Sequence, residues 1–324
     1  MKNDTAVQIL EFITRNGPVR PSEIAESFSL TPQVIHWHLR KFKAKDLLTT
    51  LGKPPHTHYK IKESIQHNIE LPPHSRQCIQ TRFSYVSPKG EMLTGEEGFL
   101  NWLNSKNMIK QANSLACAYQ KLCDQIYKKL KQPFSTLSRV QTILETVALE
   151  DILISDFYAL PQFGKTILGN LVHAAKTSDQ LTFTKQIAKI VHGDIEKIIR
   201  NNKIDAICFI PHSIPRKTQF LPELRKLLNL SMPEIKVKKL FFGDVPVAQK
   251  SLSKISERIE NAENTMSIPM QNISNKRILL IDDALGSGAT LNCVAIKLLG
   301  RGAKKVFGYA IVGSYKGFDV IAQV

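Results

Sequence analysis

The sequence predicts an α/β protein: a mainly parallel sheet flanked by helices, preceded by a small three-helix domain closed by a hairpin and by a mostly helical middle segment. Three observations carry this. Residues 5–61 hold three amphipathic runs and then two short β-prone runs, and residues 107–148 keep a helical period broken by "KQPFST" at 131–136. From residue 151 continuous apolar runs alternate with amphipathic ones, the pattern of strands buried on both faces and the helices that cover them. The expected boundaries are 1–62, 63–150 and 151–324.

A chain of 324 residues with 43% apolar content is long enough for two or three cores. Its 44 Lys and Arg against 28 Asp and Glu leave a net charge of +16, which favours polyanionic partners such as nucleic acid or phosphorylated ligands. The 5 cysteines form no C-x-x-C pair, which argues against a disulfide framework or a zinc site and for a reducing, cytoplasmic setting. No run approaches the roughly 18 apolar residues that a membrane span needs, and no secretory leader is expected.

In "TAVQILEFITRN", Ala6, Ile9, Leu10 and Ile13 share one helical face, and Gly17-Pro18 ends the run. Ser22 is the expected N-cap of a second helix in "RPSEIAESFSL". A third, "TPQVIHWHLRKFKAKDLL", places Val34, Ile35, Leu39 and Phe42 at core spacing. Two β-prone runs around Gly-Lys-Pro-Pro follow, completing a helix-turn-helix and wing. Residues 31–45 carry Arg40, Lys41, Lys43 and Lys45 and no acid, the charge that phosphate contacts require. Thr31, Gln33, His36 and His38 are available to base edges, where Gln pairs with adenine. The expected DNA contacts are Gln33, His36, Arg40, Lys41, Lys43 and Lys53. This stretch resembles bacterial winged-helix DNA-binding domains, and "GKPPHTHY" resembles their Gly-x-Pro-Pro-x-x-x-Tyr wing.

In the middle segment "YVSPKGEML" predicts a hairpin, Trp102 and Leu103 an anchor, and Leu115, Ala118, Leu122 and Ile126 a packing face. No chemistry is legible there. Farther on, "GKTILGNLVHAA" and "SDQLTFTKQIAKIVHGDIEKIIR" predict helices, "IDAICFIP" a strand, "LPELRKLLNL" a helix and "IKVKKLFF" a strand. A polar stretch to about 275, the strand "RILLI", a helix from about 289 to 300 and the strand "VFGYAIV" complete the order.

Ligands of open parallel sheets bind beyond the carboxyl ends of the strands. Asp282 and Asp283 follow Ile278–Ile281 there, and Gly286, Ser287, Gly288, Ala289 and Thr290 lead into a helix. Such a loop cradles a phosphate on backbone amides and the helix start, while a carboxylate accepts hydrogen bonds from vicinal ribose hydroxyls. The order is neither a Walker A loop nor G-x-G-x-x-G.

"RILLIDDALGSGATL" closely resembles the phosphoribosyl pyrophosphate (PRPP) motif of type I phosphoribosyltransferases. The resemblance implies that Asp282 and Asp283 hold the ribose hydroxyls, that Gly286–Thr290 hold the 5-phosphate, and that Mg²⁺ accompanies PRPP; no residue is assigned as a resident metal ligand. "AQKSLSKISERIENAENTM", through Gln249, Leu252, Arg258 and Asn261, resembles the signature of the ComF-like members, with one extra residue between Leu252 and Arg258. "FGKTILGNLVHAAKTSD" resembles their early helix ending in a lysine, here Lys176. "IPHSIPRKTQFLPEL" stands where that family has an Arg-Gly-Phe-Asn-Gln run, which leaves Arg216 and Lys217 to grip pyrophosphate and His212 to orient it. Asp282, Asp283 and Arg258 are the expected catalytic residues, with Arg258 and Lys250 on a loop that closes over pyrophosphate. The family's cysteine-rich zinc module is absent, and the winged helix stands in its place.

The resemblance implies a protein that binds PRPP or a nucleotide together with double-stranded DNA and no membrane, a plan similar to the purine-operon repressors of Gram-positive bacteria. A transcriptional regulator is the first expectation. The alternatives are an active phosphoribosyltransferase that salvages a nitrogenous base and a ComF-like DNA-uptake protein. Winged helices commonly bind paired half-sites, so a homodimer is expected.

Overall fold

A computed structural model describes residues 4–45, 47–61, 69–128, 132–178, 180–212, 219–241 and 251–315. The chain divides into two compact units, Met1–Asn68 and Ile69–Val324. No helix among the described residues is long and apolar enough to cross a membrane.

In the first unit α1 (Asp4–Asn16), α2 (Pro21–Phe28) and α3 (Pro32–Ala44) precede an antiparallel hairpin of β1 (Leu48–Leu51) and β2 (His58–Ile61). Ile9, Ile13, Ile24, Ile35, Leu39, Phe42 and Leu48 form its core. Gly17 turns the chain after α1 with φ +73°. Val19 and Tyr59 exchange two backbone hydrogen bonds, tying the α1–α2 connection to the wing. Ser22 is not the cap of α2. Pro21 takes the first helical position, where a missing N–H costs nothing, and Glu23 reaches back to accept the Arg20 backbone N–H at 2.8 Å. Val34 is not in the core either: α3 buries Ile35, His38, Leu39 and Phe42, which leaves Val34 39% exposed.

The second unit opens with α4 (Pro73–Arg82), the hairpin β3 (Ser84–Val86) and β4 (Met92–Thr94), α5 (Gly95–Ser105) and α6 (Ala112–Cys123). Trp102 and Leu103 are buried, as are Leu115 and Ile126, while Ala118 and Leu122 pack against that core from its margin. α6 runs on into a π-helical turn at Asp124–Lys128, β5 (Phe134–Ser135) falls in the expected break at 131–136, and a short α7 (Leu137–Gln141) follows.

The α/β layer then follows in chain order. β6 (Ile152–Phe157), the pair β7 (Ala159–Leu160) and β8 (Gly164–Lys165), α8 (Ile167–Thr177), α9 (Leu181–Asn202), β9 (Ala206–Phe209) and α10 (Phe220–Leu228) form its first half. β10 (Lys238–Lys239), α11 (Ile255–Thr265), β11 (Met266–Ser267), β12 (Arg277–Leu285), α12 (Ala289–Leu299) and β13 (Lys305–Gly313) form its second. The sheet has the order β5-β6-β13-β12-β9. Its members run parallel except the edge strand β5.

Both faces are covered, which explains the uninterrupted apolar strands. Leu279, Ile281, Tyr309 and Ile311 face a core made with α8, α9 and α10. Ile278, Leu280, Ile152 and Ile154 face the other, which is continuous with Phe99, Tyr119, Phe134, Val140 and Leu144. Residues 69–149 therefore fill one side of the sheet rather than merely preceding it.

Three expectations change. β6 lies in "DILISDF", whose acids at both ends mask its apolar pattern. "IKVKKLFF" contributes only the two-residue β10, paired with β11, and helix α11 occupies the stretch read as polar. β12 runs on through Asp282 and Asp283 to Leu285, because β13 keeps pairing with it as far as Gly313.

Candidate functional site

The acidic pair sits where the sheet opens. β9 pairs with β12 only as far as Phe209 opposite Ile281, whereas β13 follows it to Leu285. Asp282 and Asp283 thus lie past the last residue pair of β12 with β9, at the carboxyl edge. Strand alternation sends them to opposite faces. Asp283 falls on the α8 side, where Lys176 Nζ lies 2.7 Å from its Oδ2. Asp282 Oδ1 accepts the Asp283 backbone N–H at 2.7 Å.

Burial, and then the Asp283 charge, push the Asp282 carboxyl up to about 7; the backbone N–H and Lys176 oppose this shift. Asp282 is only half-buried by surface, so solvent screens part of that effect. A carboxyl pushed toward neutrality beside a second acid at the carboxyl edge of a parallel sheet is the electrostatic signature of a functional site.

The loop that follows is built for close backbone approach. Gly288 has φ +83°, and a Cβ there would meet Val140 Cγ1 at 2.9 Å. Ser287 is buried and its Oγ accepts the Ala289 N–H at 3.3 Å. Ala289 and Thr290 begin α12, whose first-turn amides face outward along the helix axis toward any anion in the loop. Leu291, Val294, Ala295 and Leu298 anchor that helix in the core.

Beneath the loop lies a support that local sequence pattern misses. Arg139 Nη1 donates to the Gly286 carbonyl at 3.1 Å, and burial lowers the Arg139 pKa. Asn292 accepts the Ala148 N–H at 2.7 Å and donates to the Thr146 carbonyl at 2.8 Å. Residues 139–148 thus hold both the loop and the start of α12. A lone arginine in "TLSRVQTIL" is the one sequence sign of this.

Gly288→Ala is expected to destabilise the protein by about 1–3 kcal/mol, since it combines left-handed strain with the Val140 contact. Thermal unfolding measures this. Val140→Ala in the same chain should recover the part due to contact, so a purely additive double variant would show that strain alone is responsible.

The remaining predicted residues fall in three places. Arg216, Lys217, Gln249 and Lys250 lie outside the described residues. Arg258 is on helix α11 rather than a loop; it is buried, and its Nε donates to the Leu252 carbonyl at 2.8 Å. Asn261, on the same helix, accepts from Lys239 Nζ at 3.4 Å. Burial lowers the Lys239 pKa, and burial together with the Lys239 charge lowers that of His212. Lys239 is a cation near His212 that the sequence reading did not single out, because "IKVKK" looks like a plain basic run.

On the first unit Gln33, His36, Arg40, Lys41 and Lys43 are exposed on α3, and Lys53 is exposed between β1 and β2. His38 is instead buried, its ring against those of Trp37 and Phe42, so it is unavailable to base edges. Burial and the neighbouring Lys41 charge lower its pKa.

Residues 2–49 match the family model described as winged helix-turn-helix DNA-binding. No curated protein sequence matches the chain. Among solved structures it is similar to a purine phosphoribosyltransferase from Pyrococcus horikoshii, at 17% identity over 41% of this chain and 86% of that one, with a TM-score of 0.27. It is also similar to a hypoxanthine phosphoribosyltransferase from Staphylococcus aureus, at 19% identity over 40% of this chain and 61% of that one, with a TM-score of 0.23.

Proposed function

We propose that this chain is a PRPP- or nucleotide-responsive transcriptional regulator: its second unit binds the phosphoribosyl ligand, and its winged helix binds DNA. One observation carries the reading: an acidic pair and a phosphate-type loop stand together at the open carboxyl edge of a parallel sheet, in a chain that also bears a winged helix. Asp282 and Asp283 accept hydrogen bonds from the ribose hydroxyls. Gly286, Ser287, Gly288, Ala289 and Thr290 cradle the 5-phosphate, and Arg216 and Lys217 meet pyrophosphate. Gln33, His36, Arg40, Lys41, Lys43 and Lys53 meet DNA, with a homodimer matching paired half-sites.

Mg²⁺ would be held mostly by PRPP oxygens and a few waters, as suits an ion that dehydrates reluctantly. The ion would neutralise pyrophosphate charge. Ligand binding shifts DNA affinity only as far as the ligand prefers one conformational state over another.

Asp282 itself favours a second reading, an active phosphoribosyltransferase. A carboxyl near neutral pKa can take the proton that a ring nitrogen releases as it bonds to C1′ and pyrophosphate departs. Arg258, on α11, is then the expected cation for the departing pyrophosphate.

The deciding experiment titrates PRPP with Mg²⁺ against the whole protein bound to genomic DNA fragments and follows pyrophosphate release with a panel of bases. A PRPP-dependent change in DNA retention without pyrophosphate release is the expected result. Turnover with any base selects the second reading, and no effect of PRPP on either readout removes both.

A further inference from the structure

Helix α3 turns Ile35, His38, Leu39 and Phe42 inward. At about 100° per residue, Trp37 falls at the centre of the opposite face, among Gln33, Arg40, Lys41 and Ala44. Trp37 is 57% exposed and Val34 beside it 39% exposed. Lys41 Nζ lies 4.9 Å from the Trp37 ring centroid, so a cation accompanies the aromatic surface.

A single exposed apolar residue needs no explanation, but this pair lies one turn apart in the first half of a helix that carries Arg40, Lys41 and Lys43 and no acid. In a helix-turn-helix protein this helix enters the major groove. The cations match the phosphates lining the groove, which leaves the apolar centre facing base edges. The apolar group that unmodified base edges present there is the C5 methyl of thymine.

We propose that Trp37 and Val34 read thymine methyl groups, so that the preferred DNA carries thymine opposite the centre of α3. Gln33 and Arg40 flank this contact with hydrogen bonds to neighbouring bases, and Lys41 and Lys43 hold phosphates. The inference rests on the DNA-binding reading above and adds to it the base feature that sets specificity.

The test uses the full chain. Duplexes retained from a randomised pool are amplified with either dTTP or dUTP, which differ only in that methyl; DNA made this way contains no 5-methylcytosine, so thymine is its one source of the group. Wild type should bind the uracil duplexes more weakly by roughly fourfold for each methyl contacted, from the transfer free energy of one carbon group. Trp37→Ala, a substitution at an exposed position that leaves the core intact, should narrow the difference to the share that Val34 contributes, Trp37→Phe should restore part of it, and Trp37→Ala with Val34→Ala should bind both duplexes alike. The salt dependence should stay the same throughout, because phosphate contacts are untouched. Equal binding of thymine and uracil duplexes by wild type overturns the inference while leaving DNA binding intact. So does a Trp37→Ala protein that discriminates as well as wild type. Retention of no duplex even at low salt overturns the DNA-binding reading and this one together.

Discussion

Replacing both Asp282 and Asp283 by Asn is expected to weaken PRPP binding by roughly two orders of magnitude or more, since hydrogen bonds to a charged partner contribute about 1.5–3 kcal/mol each. The two carboxylates can only accept, which suits a pair of donating hydroxyls; an amide offers one acceptor and a competing donor. Isothermal titration calorimetry with Mg²⁺ and PRPP measures the loss. The fold should survive, because Ile278–Ile281 and Leu285 hold β12 in place. Lys176 makes the pair of variants asymmetric. It already engages Asp283 at 2.7 Å, so Asp283→Asn also removes that ion pair, whereas Asp282→Asn leaves it intact. Unchanged affinity in the double variant would mean that the ribose-binding assignment is wrong.

The second large effect concerns stability, and its sign is unusual for a carboxylate. Asp282 holds its proton up to about 7 in the folded chain against an ordinary value of 3.8. Between these pH values the folded state binds more protons than the unfolded one, so stability falls as pH rises. At about 1.36 kcal/mol per unit the full shift corresponds to about 4 kcal/mol, an upper bound given the solvent contact of Asp282. Asp282→Asn removes the penalty. The variant should match wild type near pH 4 and exceed it by about 2 kcal/mol at pH 8, read from urea unfolding at both values. A variant less stable than wild type at pH 8 would show that the carboxylate is stabilised by its surroundings. Asp156, which burial pushes up to about 6 despite the Tyr127 hydroxyl at 2.7 Å, contributes in the same direction and stays in both proteins.

Local pattern made much of this architecture legible. The helical stripes of the first unit, the hairpin at Ser84–Thr94, the strand at Ile278–Ile281 and the glycine loop all follow from periods of 3.6 or 2 and from turn residues. The misreadings share a physical origin. Val34 and His38 lie four positions and about 40° apart on α3, so the margin of the core passes between two near neighbours, and apolarity alone picks Val where the core selects His. β6 escaped because its strand identity comes from pairing with β13, not from its own acid-flanked sequence. Arg139 meets Gly286 across 147 residues of chain, and no local rule can see that. The acidic pair and its loop were legible because their chemistry is contained in consecutive residues; the support beneath them was not.

The core that joins residues 69–149 to one face of the sheet also limits how this chain can be cut. A fragment beginning at residue 151 would keep the acidic pair and the glycine loop yet leave Ile152, Ile154, Ile278 and Leu280 without the Phe134, Val140 and Leu144 side chains that cover them. It would also lose the guanidinium that holds Gly286. A fragment starting at Ile69 retains all of these. For grafting, the transplantable module is the whole span from Ile69 onward, and helices that look like a spacer belong inside the cassette.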